Sequence, residues 1–526
     1  MIWRIAIILV LCGGWATAAA AQDGTLYQAV RDRDTAAATE MIKGGADVNM
    51  ASDDGTTPLH WAIENHDVTL IRQLIRAGAD VRARNDYGAT PMTEAARLGD
   101  PVVLEMLLKA GVPADAPGAD DQTPLMVVAD AGNVPAARML LKHGADVNRA
   151  EQWQDQTALM WAAAGGHADM VSLLIGQGAD VNARAKVLDP QIQVSAEPRA
   201  QYRAAGGLTP LLYAVRAGCL PCARALIDAG AGVDMTAPQG VTPLIVAINN
   251  FHFDLARYLL QAGADPNRWD WWGRTPLYAA IDMNTIPHGG RPDRRSLDET
   301  TSLDIARLLL EAGANPNAQL KLRPPFRATG ADRGCDRLLG VGATPLLRAA
   351  KAFDVDAIRL LLAYKANPDL PTRTGVTSVM AAAGLGSTDC DTRGYYNTDD
   401  VQERSIASLK LLLAAGGDVN ASMSSPLRDI RDDGWRKIYA RPTHSLLVQK
   451  GQTALHGAAY WGWNEVVTFL VDNGADLNVK DAHGMTVVDA AMGRAGGNGF
   501  LGQRIDVHED TAKLLKELMS SQTASR

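Results

Sequence analysis

One pattern limits what this chain can fold into: a threonine-led segment that returns every 33 residues. The leading threonines are Thr57, Thr90, Thr123, Thr157, Thr209, Thr242, Thr275, Thr344, Thr377, Thr453 and Thr486, and a degenerate first copy starts at Gly24. Seven of the eleven intervals are 33 residues and one is 34, while the three long ones are 52, 69 and 76. A unit of this size cannot bury its own apolar face, so neighbouring units must stack to make a core. The 526 residues exceed what one hydrophobic core serves, and an array that grows by addition accommodates them.

Each unit carries its own start and stop signals. Threonine caps a helix, and proline suits the first helical position because its missing N–H costs nothing there. Leu59, Ala62 and Ile63 then recur at helical spacing. Small residues at one register, among them Ala62, Ala95, Ala162, Ala214 and Ala247, let neighbouring helices approach closely. A second apolar helix follows, as in Val68 to Ile75, and stops at a glycine such as Gly78. Gly/Asp/Asn clusters close the unit (Gly144–Asn148, Gly178–Asn182, Gly263–Asn267, Gly313–Asn317), and this is turn chemistry.

The stretches GTTPLHWAIENHDVTLIRQLIRAGADV (Gly55–Val81) and QTALMWAAAGGHADMVSLLIGQGADVN (Gln156–Asn182) resemble the ankyrin repeat, and the likeness extends over nearly all of residues 22–520. It implies an all-α ankyrin-repeat solenoid of about twelve helix-turn-helix units, with short finger loops or hairpins and several long insertions. The expected layout is a signal peptide at 1–21, a first repeat block at 22–183, a finger insertion at 184–207, repeats at 208–520 and a tail at 521–526. Within 208–520, the register places insertions near 284–302, 319–340, 387–404 and 422–450. A closing helix is expected near Glu509–Met519. Terminal repeats need a polar outer face, which Arg31, Asp32, Arg33 and Asp34 supply at the start.

The first 21 residues have the layout of an export leader: Arg4, an apolar run from Ile5 to Leu11, and small residues from Thr17 to Ala21. Ala19 and Ala21 fit the cleavage pattern and make Gln22 the first mature residue. Cys12 follows Leu11, which is too large for a lipoprotein signal. The leader's apolar run is too short to span a bilayer and the rest of the chain has no stretch of spanning length, so a periplasmic or secreted protein of a Gram-negative bacterium is expected. The net charge of −8 argues against a nucleic-acid partner. A monomer that binds another protein is expected.

Candidate chemistry is sparse. Cys219-Leu-Pro-Cys222 enters the second helix of the sixth unit, where a helix N-terminus lowers a cysteine pKa as thiol–disulfide exchange sites require. Redox enzymes carry this motif on a βαβ frame, and none is present, so a small structural disulfide or two thiols is the plainer reading. Cys335 and Cys390 sit in different insertions and form a candidate disulfide between them. No second ligand pair stands at zinc spacing, and no cofactor motif or nucleophile–base constellation is visible, so no enzyme is expected. His60 and His456 take the position that the resemblance assigns to hydrogen bonding within and between repeats.

The stronger functional signal is aromatic. Trp269-Asp270-Trp271-Trp272-Gly273, followed by Arg274, forms a finger tip, and Tyr87 and Trp153 stand at two others. The resemblance implies tips that face outward and make contacts, and Trp and Arg dominate interface hot spots. The other outcome is that one or more of these Trp residues fold back and close the core of an insertion. Trp61, Trp161 and Tyr213 share one register in the first helices and read as packing. The leading expectation is a protein-binding scaffold that works through its finger edge and concave face. The alternative is a thiol accessory factor using Cys219 and Cys222.

Overall fold

A computed structural model describes residues 25–188, 205–285, 296–322, 338–386, 399–425, 450–493 and 507–524. Two compact units divide the chain, Met1–Gln152 and Trp153–Arg526. The first holds four helix pairs: α1 (Leu26–Arg31) with α2 (Thr35–Lys43), α3 (Pro58–Glu64) with α4 (Val68–Arg76), α5 (Pro91–Leu98) with α6 (Pro101–Lys109), and α7 (Pro124–Asp130) with α8 (Val134–Lys142). The second opens with α9 (Ala158–Ala164) and α10 (Ala168–Gly176), α11 (Pro210–Ala217) and α12 (Leu220–Asp228), α13 (Pro243–Asn249) and α14 (Phe253–Gln261), and α15 (Pro276–Asn284) and α16 (Ser302–Glu311). It continues with α17 (Pro345–Lys351) and α18 (Val355–Ala363), α19 (Ser378–Ala382) and α20 (Val401–Ala414), α21 (Ala454–Trp461) and α22 (Asn464–Asp472), and α23 (Val487–Ala491) and α24 (Glu509–Ala524). These are twelve pairs, all helical, and the described strands are only β1 (Val187–Leu188) and β2 (Ala205–Gly206).

Stacking follows the repeat. First helices pack on first helices, as α3 on α5 and α15 on α17, and second helices pack on second helices, as α6 on α8 and α14 on α16. The small register permits this approach: Ala62, Ala95, Ala162, Ala214 and Ala247 are all fully buried. Leu59, Ile63, Ile71 and Leu74 fill the core of one pair, and each such side chain contributes about 1.5–3 kcal/mol.

The threonines are caps. Thr90, Thr123, Thr209, Thr242, Thr275 and Thr344 each accept the N–H three residues on, with proline at the first helical position. At Thr57 and Thr453 the backbone N–H is instead taken by Nδ1 of His60 and His456, 3.2 Å away in both. His60 Nε2 lies 3.3 Å from the carbonyl of Ala89 in the next repeat. Burial lowers the pKa of both imidazoles.

The closing asparagines do more than turn the chain. Asn49 Nδ2 donates to the Gly78 carbonyl, and its Oδ1 accepts from the Asp80 N–H. Asn182 does the same with Gly230 and Gly232, Asn267 with Gly313 and Asn315, Asn317 with Lys365 and Asn367, and Asn420 with Gly474 and Asp476. One side chain thus holds a donor and an acceptor of the next repeat.

In the finger insertion expected at 184–207, β1 and β2 pair antiparallel, Val187 with Gly206 and Leu188 with Ala205. The insertion expected to run to 404 ends earlier, because Val401–Arg404 form the first turn of the 14-residue α20. The closing helix runs to Ala524, beyond Met519 and into the expected tail. The leader, Cys335 and Cys390 lie outside the described residues.

Candidate binding surface of the finger tips

Asp270 organises the tryptophan finger from inside. It is fully buried, and its Oδ1 accepts from the N–H groups of Trp272 (3.0 Å) and Arg274 (2.9 Å). Its Oδ2 takes Arg274 Nε at 2.8 Å and Nη2 at 2.7 Å. The guanidinium then stacks over the Trp272 ring, 5.2 Å from its centroid. Gly273 turns the chain at φ 80°, and a Cβ there would meet the Lys321 backbone nitrogen at 2.7 Å. That close approach lets Lys321 and Leu322 donate their N–H groups to the Trp272 carbonyl, at 2.9 and 3.1 Å.

The finger therefore divides its tryptophans. Trp272 is 6% exposed and Arg274 8% exposed, so these two expected contact residues are structural supports and not surface. Their polar groups are satisfied by Asp270 and by the 319–340 insertion stem, which draws them inward. Trp269 and Trp271 remain outside, at 50% and 64% exposure. Lys321 Nζ sits 3.2 Å from the Trp269 ring centroid, a cation–π contact that orients the ring. Trp271 is held by its backbone N–H, which donates to the Gln239 carbonyl of the preceding finger at 2.9 Å.

Tyr87, in the first unit, is 74% exposed on a tip fixed by its N–H to Asn85 Oδ1, 3.1 Å away. Trp153, in the second unit, is 68% exposed. The first-helix aromatics are packing residues: Tyr213 is buried and accepts from Gln156 Nε2 at 2.6 Å, and Trp61 meets Tyr27 edge-on. Cys219 and Cys222 are joined by a disulfide, with Cys222 fully buried.

Other features are not visible in the sequence. Leu320, Leu338, Leu339 and Met423, from the ends of two finger insertions, are buried in one cluster with Tyr278, Leu347 and Met380. On the first helices, Arg348 and Lys351 are fully buried, and Arg348 Nε pairs with Asp282 Oδ1 at 2.7 Å. Trp461 and Trp463 stack at 5.8 Å, with Phe353 edge-on to Trp463. Charges and aromatics at helix positions give no sign of this enclosure, although the length of the insertions is a usable hint.

Among the described residues, no group of three or more His, Cys, Asp or Glu could hold a metal, and no helix is long and apolar enough to cross a membrane. Comparison with known proteins agrees with the architecture. A family model of three ankyrin repeats matches residues 26–117, 103–185, 191–270 and 211–320, and a single-repeat model matches 341–373 and 450–482. The ankyrin repeat and KH domain-containing protein mask-1 of Caenorhabditis elegans is 28% identical over 163 residues, which is 28% of this chain and 5% of that protein. This chain thus matches only about a twentieth of that relative's length. The human ASB11 ankyrin repeat domain, a solved structure, aligns over 46% of this chain and 98% of its own at 23% identity, with a TM-score of 0.39. With its repeats matched over more than half its length, the chain belongs to the ankyrin-repeat family.

Proposed function

We propose that this protein is an exported, monomeric scaffold that holds another protein against its finger tips. The observation that carries the reading is the treatment of the tryptophan finger. A buried Asp270–Arg274 pair, Trp272 and a second segment support a finger on which two further tryptophans stand open to solvent. Rigid, amphipathic aromatic surface is what an interface core uses, since it buries large area at small entropic cost. Leu322 and Lys321 extend the patch with apolar and cationic surface. The concave side of the first helices is a second contact face in this reading. Family membership supports protein binding in general, whereas the face and the export are this proposal's own.

The test is chemical cross-linking of the chain in its native compartment, with the Trp269→Ala, Trp271→Ala double variant run in parallel. One partner enriched by the parent chain and lost from the variant is expected. A partner retained equally by both would move the interface off this finger. Amino-terminal sequencing of the mature protein should begin at Gln22, and an intact Met1 in the soluble fraction would reject export.

A further inference from the structure

Several second helices in this fold open on a side chain that binds the helix's own backbone, whereas α10, α14, α20 and α22 have no such bond. Asp34, Asp67, Asn133 and Asp354 each accept the N–H three residues on, satisfying a group the helix leaves open. The helix α12 keeps this geometry but puts a cysteine in the capping place. Its cap is Cys219, its third residue is Cys222, and the two are joined by a disulfide with Cα atoms 5.3 Å apart. The Cys222 N–H points at Cys219 Sγ, 3.2 Å away, and sulfur is a weak acceptor, so the bridge does not improve the cap. Nor does it staple the fold. The two cysteines are only 3 positions apart, so the bridge removes little freedom from the unfolded chain, and both belong to one helix turn.

What the pair does have is the layout of an exchangeable bond. Cys219 is partly exposed, while Cys222 is fully buried. The preceding repeat faces Cys219 with Gly166, which has no side chain and meets the sulfur only through its carbonyl oxygen, 3.5 Å away. Pro221 lies within the first turn and fixes the backbone between the two sulfurs. The Cys222 N–H already points at Cys219 Sγ, and with the dipole of the helix start it favours a thiolate over a thiol there.

We propose that Cys219–Cys222 is a thiol–disulfide exchange site that takes electrons from a dithiol on another protein. A substrate thiolate forms a bond to Cys219 Sγ. The Cys219–Cys222 bond breaks, and its electron pair leaves on Cys222 Sγ, which then takes up a proton. The substrate's second thiolate attacks its own sulfur in the mixed disulfide and releases Cys219 as a thiolate. The substrate is oxidised by two electrons to a disulfide, and the pair is reduced to two thiols. The proposal stands independently of the finger-tip interface.

The experiment uses the full chain with Cys12, Cys335 and Cys390 replaced by Ser, and a reduced synthetic peptide carrying two cysteines. Alkylation and mass measurement should show one equivalent of peptide oxidised as the pair is reduced, with the circular dichroism of the fold retained. With the oxidised peptide, Cys222→Ser should trap a mixed disulfide at Cys219 about tenfold faster than Cys219→Ser traps one at the buried Cys222. Cys222→Ala, which keeps a small apolar side chain in the core, repeats the trapping if the serine disturbs folding. A pair that stays oxidised under excess dithiol peptide until the protein is unfolded overturns the proposal. Equal trapping by the two single-cysteine variants overturns it as well.

Discussion

In the first unit, Arg97 on α5 reaches Glu64 on α3, and both side chains lie open to water. In the second, Arg348 on α17 reaches Asp282 on α15, and both are shut away from it. Both pairs join first helices of adjacent repeats, with the two acids at one register and the arginines about a turn apart, Arg97 seven and Arg348 four residues after the capping threonine. Surroundings change the energetics. An exposed pair is screened and gains at most about 1 kcal/mol. An enclosed pair is held by the penalty that either charge would meet without the other. Charged side chains on first helices are therefore solvated in the one pair and part of the core in the other.

Removing one partner should expose this contrast most strongly. Asp282→Ala leaves Arg348 enclosed without its counter-charge and should cost about 3–5 kcal/mol in denaturant unfolding, whereas Glu64→Ala should cost less than about 1 kcal/mol. Comparable losses from the two variants would show that Arg348 reaches water in solution. Replacing both members of the enclosed pair with apolar residues, Asp282→Leu with Arg348→Met, should recover most of the loss.

The asparagine bridges should erase the contrast, because they are built alike in both units. Asn49→Ala and Asn267→Ala each remove one donor and one acceptor and should each cost about 1–2 kcal/mol. A large difference between them would mean that neighbouring repeats differ in rigidity.

Acid sharpens the comparison further. Burial lowers the folded-state pKa of His60 and His456 below the ordinary imidazole value, so the unfolded chain binds more protons as pH falls from about 6.5. Their contribution is complete above that value and is lost toward the lower folded-state pKa. Melting temperature should therefore fall as the pH is taken from about 7.5 down to about 5. The fall should shrink in His60→Asn and His456→Asn. His456 should dominate, since it is the more completely enclosed of the two.

The smallest stability effect belongs to the surface. Trp271→Ala should change unfolding by no more than about 0.5 kcal/mol while removing binding, whereas Trp272→Ala should cost about 3–5 kcal/mol. A Trp271 variant as unstable as the Trp272 variant would place Trp271 in the core.

The repeat, its caps and its helix pairs are legible in the sequence because they depend on local chemistry: Thr at a helix start, Pro next to it, Gly after the second helix. The division of Trp269, Trp271 and Trp272 is not, because it depends on where Lys321 and Leu322 lie, far along the chain. Arg348 and Lys351 are illegible for the same reason, since a charge on a helix face carries no mark of what lies over it. Register alone puts Val401–Arg404 in an insertion, because it locates surplus residues only between fixed points. The chain spends part of that surplus on an extra turn of α20.

The asparagine bridges also bear on how such a chain changes over generations. Asn49 reaches a carbonyl 29 positions ahead, Asn267 one 46 ahead and Asn420 one 54 ahead, yet all three make the same bond. The bond is indifferent to what has been spliced in between. A lineage can lengthen, shorten or exchange the intervening segment while the joint between repeats keeps its form. Loops behave as replaceable cassettes, and new binding specificities can be tried without rebuilding the frame that carries them.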